Sequence, residues 1–366
     1  MSRPAGLYVH IPFCKSKCHY CDFASGPGTA DEIERYLGLL EVEAEREACG
    51  QTVDTVFVGG GTPSLLSPAQ LERLFRQVVG RFVLAPGAEV TVEGNPESLD
   101  PGRAACLAAL GVNRVSLGAQ SFDDGELRKL GRIHRAQQTR DAVKALRDHG
   151  LHNFNLDLIC GFPGNTAVSL HRSIDAVLEL SPAHVSLYLY QHEEHSHWGR
   201  SDIELPDDDL QVDLYYEVKD RLEAAGYGHY EISNFALSGR ECRHNLKYWS
   251  GDPYVGLGAS AAGFVDGLRV TNPSDLLSYE RWVRHGVRAM EPMDSVSRAR
   301  ELVMLRMRLL DGVERLPAEL GETETGRVRD ILEHYAELGL VRRQGEGYAL
   351  SRRGLLLSNE VFAELI

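Results

Sequence analysis

Six short apolar runs alternate with helix-like segments over the first 190 residues of this 366-residue chain, and this alternation constrains its fold most. The runs begin with LYVHI (7–11) and end with HVSLYLY (184–190). Between the first two runs, apolar residues recur at helical spacing at Ile33, Leu37 and Leu40. Strands that alternate with helices favour a parallel sheet, and six units are too few for an eightfold barrel. We predict an α/β fold in which residues 1–190 form a partial (β/α)6 barrel.

Beyond residue 190 the alternation stops, and the sequence predicts two further domains. Residues 191–290 are expected to form an α+β extension, in which the Asp-Gly pair of FVDGLRVTN indicates a hairpin. In residues 291–366, two helical patterns precede the short strands of LVRRQGEGYALS, as in a winged-helix-like domain. The net charge of −14 disfavours binding to a phosphate backbone. We therefore expect this tail to pack or to contact proteins, and we expect no nucleic-acid partner.

The amino terminus and the isolated cysteines indicate where the protein works. No segment approaches the ~20 apolar residues that a membrane-spanning helix needs, and the first residues lack the pattern of a signal peptide. We therefore expect a cytoplasmic protein without a transmembrane segment. Four of the seven cysteines are scattered singly, as small buried residues are, and do not indicate a disulfide framework: Cys49, Cys106, Cys160 and Cys242.

Polar and glycine-rich segments follow the predicted strands. The segments are GGGTPS after the second strand, EGNPE after the third, AQSF after the fourth and DLICGFPG at the end of the fifth. In barrel-like α/β proteins, the loops at the carboxyl ends of the strands build the active site. We therefore expect these distant segments to meet around one pocket.

The loop after the first strand carries Cys14, Cys18 and Cys21, a Cys-x3-Cys-x2-Cys run. Thiolates at this spacing suit zinc or an iron–sulfur cluster. A structural zinc needs a fourth ligand, which His10 or His19 could supply, but the usual second pair of ligands is absent. The favoured alternative is a four-iron cluster with three cysteine ligands, which leaves one iron open for chemistry.

The same spacing is the signature of radical S-adenosylmethionine (SAM) proteins, which the chain resembles. The resemblance implies a [4Fe-4S] cluster on the three cysteines, with the open iron binding the amino and carboxylate groups of SAM. It extends along the chain, since the segment around the cysteines and four further segments are similar to oxygen-independent coproporphyrinogen III oxidases and their relatives: LYVHIPFCKSKCHYCDF, VFVGGGTPSLLS, LGAQSFDD, LGRIHRA and NLDLICGFPGNT.

Roles in SAM binding follow from this resemblance, position by position. Residues implied to lie at the cluster-bound SAM are Tyr8, Tyr20, Gly60 and Glu93. Residues at positions that hold a second SAM in the oxidases are Gly61, Thr62, Gln120, Arg132 and Asp157. The motifs leave open whether this chain binds one SAM or two.

Two features separate this chain from the oxidases. Phe23 stands where the oxidases have a further cysteine, and CRHNLKYW resembles the His-Asn-x-x-Tyr-Trp motif of HemW-type haem chaperones. This resemblance implies haem binding by His244, Tyr248 and Trp249, and delivery of haem to acceptor proteins. Contact with a membrane would then occur through an acceptor.

Other interpretations stay open at this point. YLYQHEEHSHWGRSD and GLGASAAGF depart from the chaperone pattern, and the histidines of the first segment are either extra ligands or part of a solvated loop: His192, His195 and His197. The alternative function is a radical SAM enzyme that uses two SAM molecules, such as a methyltransferase or a cyclopropane-forming enzyme. Oxidation of coproporphyrinogen III is disfavoured by Phe23, and the sequence does not decide whether the chain is an enzyme.

Overall fold

The computed structural model describes residues 4–48, 50–286 and 291–366. Its strands are, in chain order, β1 (Ala5–Ile11), β2 (Thr52–Gly60), β3 (Val83–Gly94), β4 (Arg114–Gln120), β5 (Phe154–Cys160), β6 (His184–Leu189), β7 (Gly228–Glu231), β8 (Asn234–Ala236), β9 (Tyr254–Leu257), β10 (Ala262–Val265), β11 (Leu268–Thr271), β12 (Glu291–Pro292), β13 (Val341–Gln344) and β14 (Gly347–Leu350). Its helices are α1 (Ala30–Glu47), α2 (Pro68–Gln77), α3 (Pro101–Ala109), α4 (Asp124–Lys129), α5 (Ala136–Asp148), α6 (Ala167–Leu180), α7 (Asp208–Ala224), α8 (Arg243–Ser250), α9 (Leu276–His285), α10 (Ser295–Met307), α11 (Gly321–Glu337), α12 (Arg352–Leu356) and α13 (Ser358–Leu365).

Strands β1 to β6 lie side by side in chain order, and every neighbouring pair among them is parallel. Helices connect them, and the first two are started by capping boxes at Thr29 and Ser67. Six of the seven residues of β1 are buried, as expected for a strand covered on both faces. This arrangement confirms the predicted partial (β/α)6 barrel and places six strand carboxyl ends at one edge.

The extension adds strands to both sides of this parallel sheet. The full order is β12-β11-β10-β9-β1-β2-β3-β4-β5-β6-β8-β7, so the sheet is open and does not close into a barrel. The predicted Asp-Gly hairpin joins β10 to β11, with positive φ at Asp266 and Gly267. The division into three domains stays a prediction, and residues 287–290, next to its second boundary, lie outside the described residues.

A buried carboxylate attaches the extension to the barrel. Glu43 of α1 is fully buried and accepts hydrogen bonds from Gly258 N at 2.8 Å, from Asn272 Nδ2 at 2.7 Å and from the Tyr279 hydroxyl at 2.6 Å. A buried carboxylate is costly unless several donors satisfy it. Glu43 therefore fixes the loop after β9 and helix α9 against α1.

The carboxyl-terminal helices form a second core with the β13–β14 hairpin, as the winged-helix-like pattern predicts. Val303, Val328, Leu332 and Val361 are fully buried in this core. Among the isolated cysteines, two are buried and one is partly buried, whereas Cys49 lies outside the described residues: Cys160, Cys242 and Cys106. In the part of the chain that the structure describes, no helix is both long and apolar enough to cross a membrane.

Candidate functional site

A cavity of about 780 Å³ opens at the carboxyl edge of the six parallel strands. We call it the main cavity. Eleven of the fifteen predicted site residues line it: Cys14, Cys18, Tyr20, Cys21, Gly60, Gly61, Thr62, Glu93, Gln120, Arg132 and Asp157. The structure therefore brings together residues that are as much as 143 positions apart in the sequence (157 − 14). The four that lie elsewhere are Tyr8, His244, Tyr248 and Trp249.

The cysteine loop folds back on itself after β1. The Cys14 amide donates to the Gly26 carbonyl at 2.9 Å, and the Gly26 amide donates to the Pro12 carbonyl at the same distance. Lys17 Nζ donates to the Ser25 carbonyl at 3.0 Å, which closes the loop from its outer side. All three thiols are partly buried and line the main cavity. The loop therefore presents its three sulfurs to one space.

Two of the cysteines are joined by a relay of hydrogen bonds across three strand ends. Thr62 Oγ1 lies 3.5 Å from Cys14 Sγ, and Asn95 Nδ2 donates to Thr62 Oγ1 at 3.1 Å. Arg132 Nη2 donates to Asn95 Oδ1 at 2.7 Å, and Arg132 Nη1 lies 3.5 Å from Cys18 Sγ. Donors near sulfur stabilise the thiolate that a metal requires. Sequence reasoning gave Asn95 no role, although its segment EGNPE was placed at this edge.

Glycines let the strand-end backbone approach the cysteine loop closely. Gly60 has a φ of +108°, and a Cβ there would lie 2.5 Å from the His10 ring. A Cβ on Gly61 would lie 2.7 Å from the Phe13 carbonyl oxygen and 3.0 Å from Cys14 Sγ. Larger residues would therefore push the loop away at both positions.

The donor set fits an iron–sulfur cluster better than a single zinc ion. Among the described residues, no three His, Cys, Asp or Glu side chains converge on one point as ligands of one ion would. Both ring nitrogens of His10, a candidate fourth zinc ligand, are engaged, with the Tyr8 hydroxyl at 2.9 Å and the Ala24 carbonyl at 3.0 Å. The thiolates of a cluster bind different iron atoms, so three sulfurs around a shared cavity suit it.

Gln120 presents an unused acceptor in the main cavity. This residue ends β4 with a φ of +64°, where the register with β5 shifts. Its buried Oε1 has no hydrogen-bond partner among the described residues. A buried amide oxygen without a donor is costly, and a non-glycine residue at positive φ is uncommon. The two observations together indicate a ligand contact at this position.

Two acidic side chains face each other inside the barrel. Burial and, to a smaller extent, the neighbouring Asp157 raise the pKa of Glu93 to about 7, against the opposing effects of Gly60 N and Arg114. Asp157 Oδ1 accepts from Asn155 Nδ2 at 2.7 Å, and burial raises the pKa of this carboxyl also. A cation bound between these carboxyls would favour their ionised forms.

Tyr8 is not among the residues that line the main cavity, and its implied role at SAM stays a prediction. Its ring stacks on Phe57 with centroids 6.3 Å apart, and its hydroxyl is engaged by His10. Burial, followed by the charge of Glu93, raises the pKa of the Tyr8 phenol. Tyr8 thus stands in a wall between the main cavity and a second one.

His244 is fully buried at the start of helix α8, beneath this wall. Its Nδ1 lies 2.8 Å from Thr55 Oγ1, and its Nε2 lies 2.8 Å from the Tyr248 hydroxyl. Its backbone amide donates to Glu89 Oε1 at 3.0 Å. Burial, with smaller contributions from Lys247 and Arg114, lowers the pKa of His244 to about 3. His244 is therefore a neutral ring with both nitrogens occupied.

The second cavity, of about 360 Å³, was not predicted from the sequence. Tyr8, Tyr248 and Trp249 line it together with residues of β9, β10, β11 and α10. Arg308, which lines the main cavity, places its guanidinium carbon 4.4 Å from the centre of a Trp249 ring. Trp249 therefore stands between the two cavities. Of the predicted haem residues, Tyr248 and Trp249 line the second cavity, whereas His244 lines neither.

The histidine-rich segment, residues 192–198, lies on the surface and is attached to the rest of the protein through Trp198. His192, His195 and His197 are exposed, in line with the solvated interpretation. Trp198 is buried against Tyr190, and its amide donates to the His19 carbonyl at 2.9 Å. This contact joins the segment to the cysteine loop, which the sequence gave no reason to expect.

Comparisons with known proteins agree with this geometry. The Radical SAM superfamily profile matches residues 8–177, and the HemN C-terminal domain profile matches residues 295–357. Heme chaperone HemW of Bacillus subtilis is 34% identical, with 98% of each chain covered. HemW of Mycobacterium tuberculosis is 38% identical, covering 100% of this chain and 95% of the relative.

Among solved structures, coproporphyrinogen III oxidase (HemN) from Escherichia coli superposes with a TM-score of 0.86 at 25% identity. The superposition covers 100% of this chain and 90% of that one. The similarity in sequence to HemW is higher and extends over the full length. The chain therefore belongs to the HemW haem-chaperone family within the radical SAM superfamily.

Proposed function

We propose that this chain is a haem chaperone, which binds a [4Fe-4S] cluster and SAM in the main cavity and carries haem to acceptor proteins. The observation that carries the proposal is the meeting of three thiols and eight SAM-matched residues in one cavity. The full-length similarity to proteins named heme chaperone HemW supplies the haem part. We further propose that the protein works in the cytoplasm and meets membrane-bound acceptors only through contacts with them.

Cys14, Cys18 and Cys21 would hold the cluster. When bound, the cluster supplies an iron with an open coordination position and an electron for chemistry on SAM. Thr62 and Arg132 direct hydrogen-bond donors at two of the three sulfurs. These donors favour the thiolate forms, and hydrogen bonds to cluster sulfurs tune the reduction potential.

The buried carboxyls of Glu93 and Asp157 would hold the cationic groups of SAM. Burial raises both carboxyl pKa values, and a neighbouring cation restores ionisation. Gln120 offers a free amide oxygen to a donor on the ligand. Tyr20, partly buried beside the cysteines, would cover one side of the site. Whether a second SAM shares the cavity stays a prediction to be tested by stoichiometry.

Haem would contact Tyr248 and Trp249, with His244 as a positioning residue. Both ring nitrogens of His244 are engaged, and one of them fixes the Tyr248 hydroxyl. The imidazole is neutral and enclosed, so it acts on haem through Tyr248. This assigns His244 a different role from the direct ligand that its type alone would favour.

Anaerobic reconstitution followed by paired binding assays tests the proposal. The reconstituted protein should contain four irons and four sulfides, bind SAM, and take up haem that it then passes to an apo-acceptor protein. The variant with Cys14, Cys18 and Cys21 all replaced by Ala should lose iron and sulfide. Failure of the wild-type protein to bind haem, with the cluster intact, would contradict the chaperone function.

An oxidase function is the second candidate, because HemN shares the fold over the whole chain. Phe23, where the oxidases have a further cysteine, is 67% exposed at the lip of the main cavity. We expect no conversion of coproporphyrinogen III under reducing, anaerobic conditions with SAM. Formation of protoporphyrinogen IX at enzymatic rates would favour the oxidase, and a methylated or cyclopropane-containing product would favour a two-SAM enzyme.

A further inference from the structure

The second cavity lies between helices α8 and α10 and the edge strands β9 to β11. We call it the rim pocket. Its walls are mostly aromatic and aliphatic: Tyr248, Trp249, Tyr254, Phe264 and Leu302. The rings of Tyr248 and Tyr254 meet edge to face, with centroids 4.6 Å apart. Aromatic walls with few polar groups are typical of sites for flat, apolar ligands.

One polar group in this wall has no partner. The indole Nε1 of Trp249 is buried and makes no hydrogen bond within the described residues. A buried indole N–H usually finds an acceptor, because leaving it unpaired is costly. Trp249, which lines this pocket, therefore carries a donor that the described residues leave unused.

An unpaired cation stands at the mouth of the pocket. Arg298 is exposed, and its guanidinium carbon lies 4.9 Å from the centre of the Phe264 ring. Within the described ranges it has no carboxylate partner, whereas the neighbouring Arg269 is paired with Glu301. A guanidinium binds carboxylates with two parallel hydrogen bonds. In a chain with a net charge of −14, this local positive charge favours an anionic ligand.

We propose that the rim pocket holds one edge of haem, with the ring against Tyr248, Trp249 and Phe264 and a propionate on Arg298. The inference rests on the proposed haem-chaperone function and assigns its binding place. The volume of about 360 Å³ is at the lower end of ligand pockets, roughly 300 to 1,000 Å³. The pocket therefore covers one edge of the ligand and leaves the other edge outside.

The lining of the rim pocket also explains how haem could be released. Among the described residues that line it, none carries an imidazole, a thiol or a thioether. The hydroxyls of Tyr8 and Tyr248 are engaged by His10 and His244. The pocket thus holds the ring and a carboxylate through contacts that involve none of the His, Cys and Met side chains that bind haem iron tightly.

Haem titration of the full-length, cluster-loaded protein tests the assignment. Arg298→Gln should weaken haem binding about tenfold, since a charge-assisted contact is lost. Leu302→Trp should fill the pocket and weaken binding more strongly. Matched controls on the exposed face of α9, Arg281→Gln and Leu277→Trp, should leave binding unchanged. Iron content and thermal unfolding of each variant establish that it is folded.

A modified ligand tests whether Arg298 acts through the propionate of haem or through some other change in the protein. Haem dimethyl ester, which lacks free carboxylates, should bind the wild type and Arg298→Gln equally weakly. Unchanged haem affinity in both Arg298→Gln and Leu302→Trp, with a wild type that binds haem, would overturn the assignment and leave the chaperone function standing. A wild type that binds no haem would instead refute the proposed function itself.

Discussion

The Nε2 atom of His244 lies 2.8 Å from the hydroxyl oxygen of Tyr248, one turn further along the same helix. The other ring nitrogen is engaged by Thr55, so the imidazole joins the barrel interior to the rim pocket. This relationship is the basis for our proposal that His244 positions Tyr248 and does not itself bind the haem iron. It leads to the first two predictions.

Haem binding should respond to His244 and Tyr248 as one unit. His244→Ala and Tyr248→Phe are each expected to weaken haem binding. The haem affinity of the double variant should be no lower than that of the single variant with the lower affinity. Residues that act through each other give such non-additive losses. The measurement is a double-mutant cycle of haem dissociation constants.

The alternative outcome is equally measurable. If the losses are additive, and if added imidazole restores the haem spectrum of His244→Ala, His244 is an independent iron ligand and the positioning role is wrong.

The stability of the protein should depend on pH through His244. Its pKa of about 3 in the folded state lies below the ordinary value of 6.5, so the unfolded chain binds more protons between these values. The free energy of unfolding must then fall as pH drops below about 6.5. His244→Gln should lose less stability between pH 7 and pH 5 than the wild type, as measured by urea unfolding.

An exposed histidine provides the control for this comparison. His285→Gln, at the end of α9, should retain the wild-type pH dependence. The buried Glu93 and Glu231 carboxyls, whose pKa values are raised to about 7, act in the opposite direction in all three proteins. Their contribution cancels when the wild type and His244→Gln are compared. The same dependence of unfolding free energy on pH in these two proteins would therefore contradict the prediction.

SAM binding should release a proton through Glu93. The pKa of this carboxyl is about 7, raised by burial and by Asp157 and opposed by Arg114 and Gly60 N. A bound cation lowers the pKa, so affinity should rise with pH up to about 7 and then level off. Calorimetry in two buffers of different ionisation enthalpy measures the released proton. The Glu93→Gln variant should bind SAM and release fewer protons than the wild type. Equal proton release by the wild type and the variant would refute the assignment to Glu93.

The reduction potential of the cluster should depend on Arg132. Its Nη1 lies 3.5 Å from Cys18 Sγ and brings a positive charge to the sulfur. Hydrogen bonds and positive charge favour the reduced cluster, so Arg132→Met should shift the potential to more negative values. A redox titration followed by electron paramagnetic resonance measures this shift. Arg128→Met, an exposed neighbour on α4, is the matched control and should have no effect.

Cluster assembly should require a residue without a side chain at position 61, which is Gly61. A Cβ there would lie 3.0 Å from Cys14 Sγ and 2.7 Å from the Phe13 carbonyl oxygen. Gly61→Ala should therefore displace Cys14 and lower the bound iron and sulfide, with the secondary structure retained. Gly326→Ala, where a Cβ meets nothing within 4 Å, should keep full cluster content. Full loading of Gly61→Ala would show that the cysteine loop adapts.

The sequence by itself determined the local features of this protein. The Cys14–Cys21 spacing, the six alternating units and the Asp266–Gly267 turn are properties of short segments, and each is readable because neighbouring residues share one backbone conformation. Strand carboxyl ends share an edge in any parallel sheet, which is why most of the main cavity was predictable.

Only the tertiary structure decided what distant side chains do to each other. The relay from Cys14 to Cys18 through Asn95 and Arg132 crosses three loops. The orientation of His244 and the existence of the rim pocket depend on how α8 packs against α10 and β9 to β11. The physical reason is that hydrogen bonds require distances within about 3.5 Å, and such distances between remote residues are fixed by packing, which no local pattern encodes.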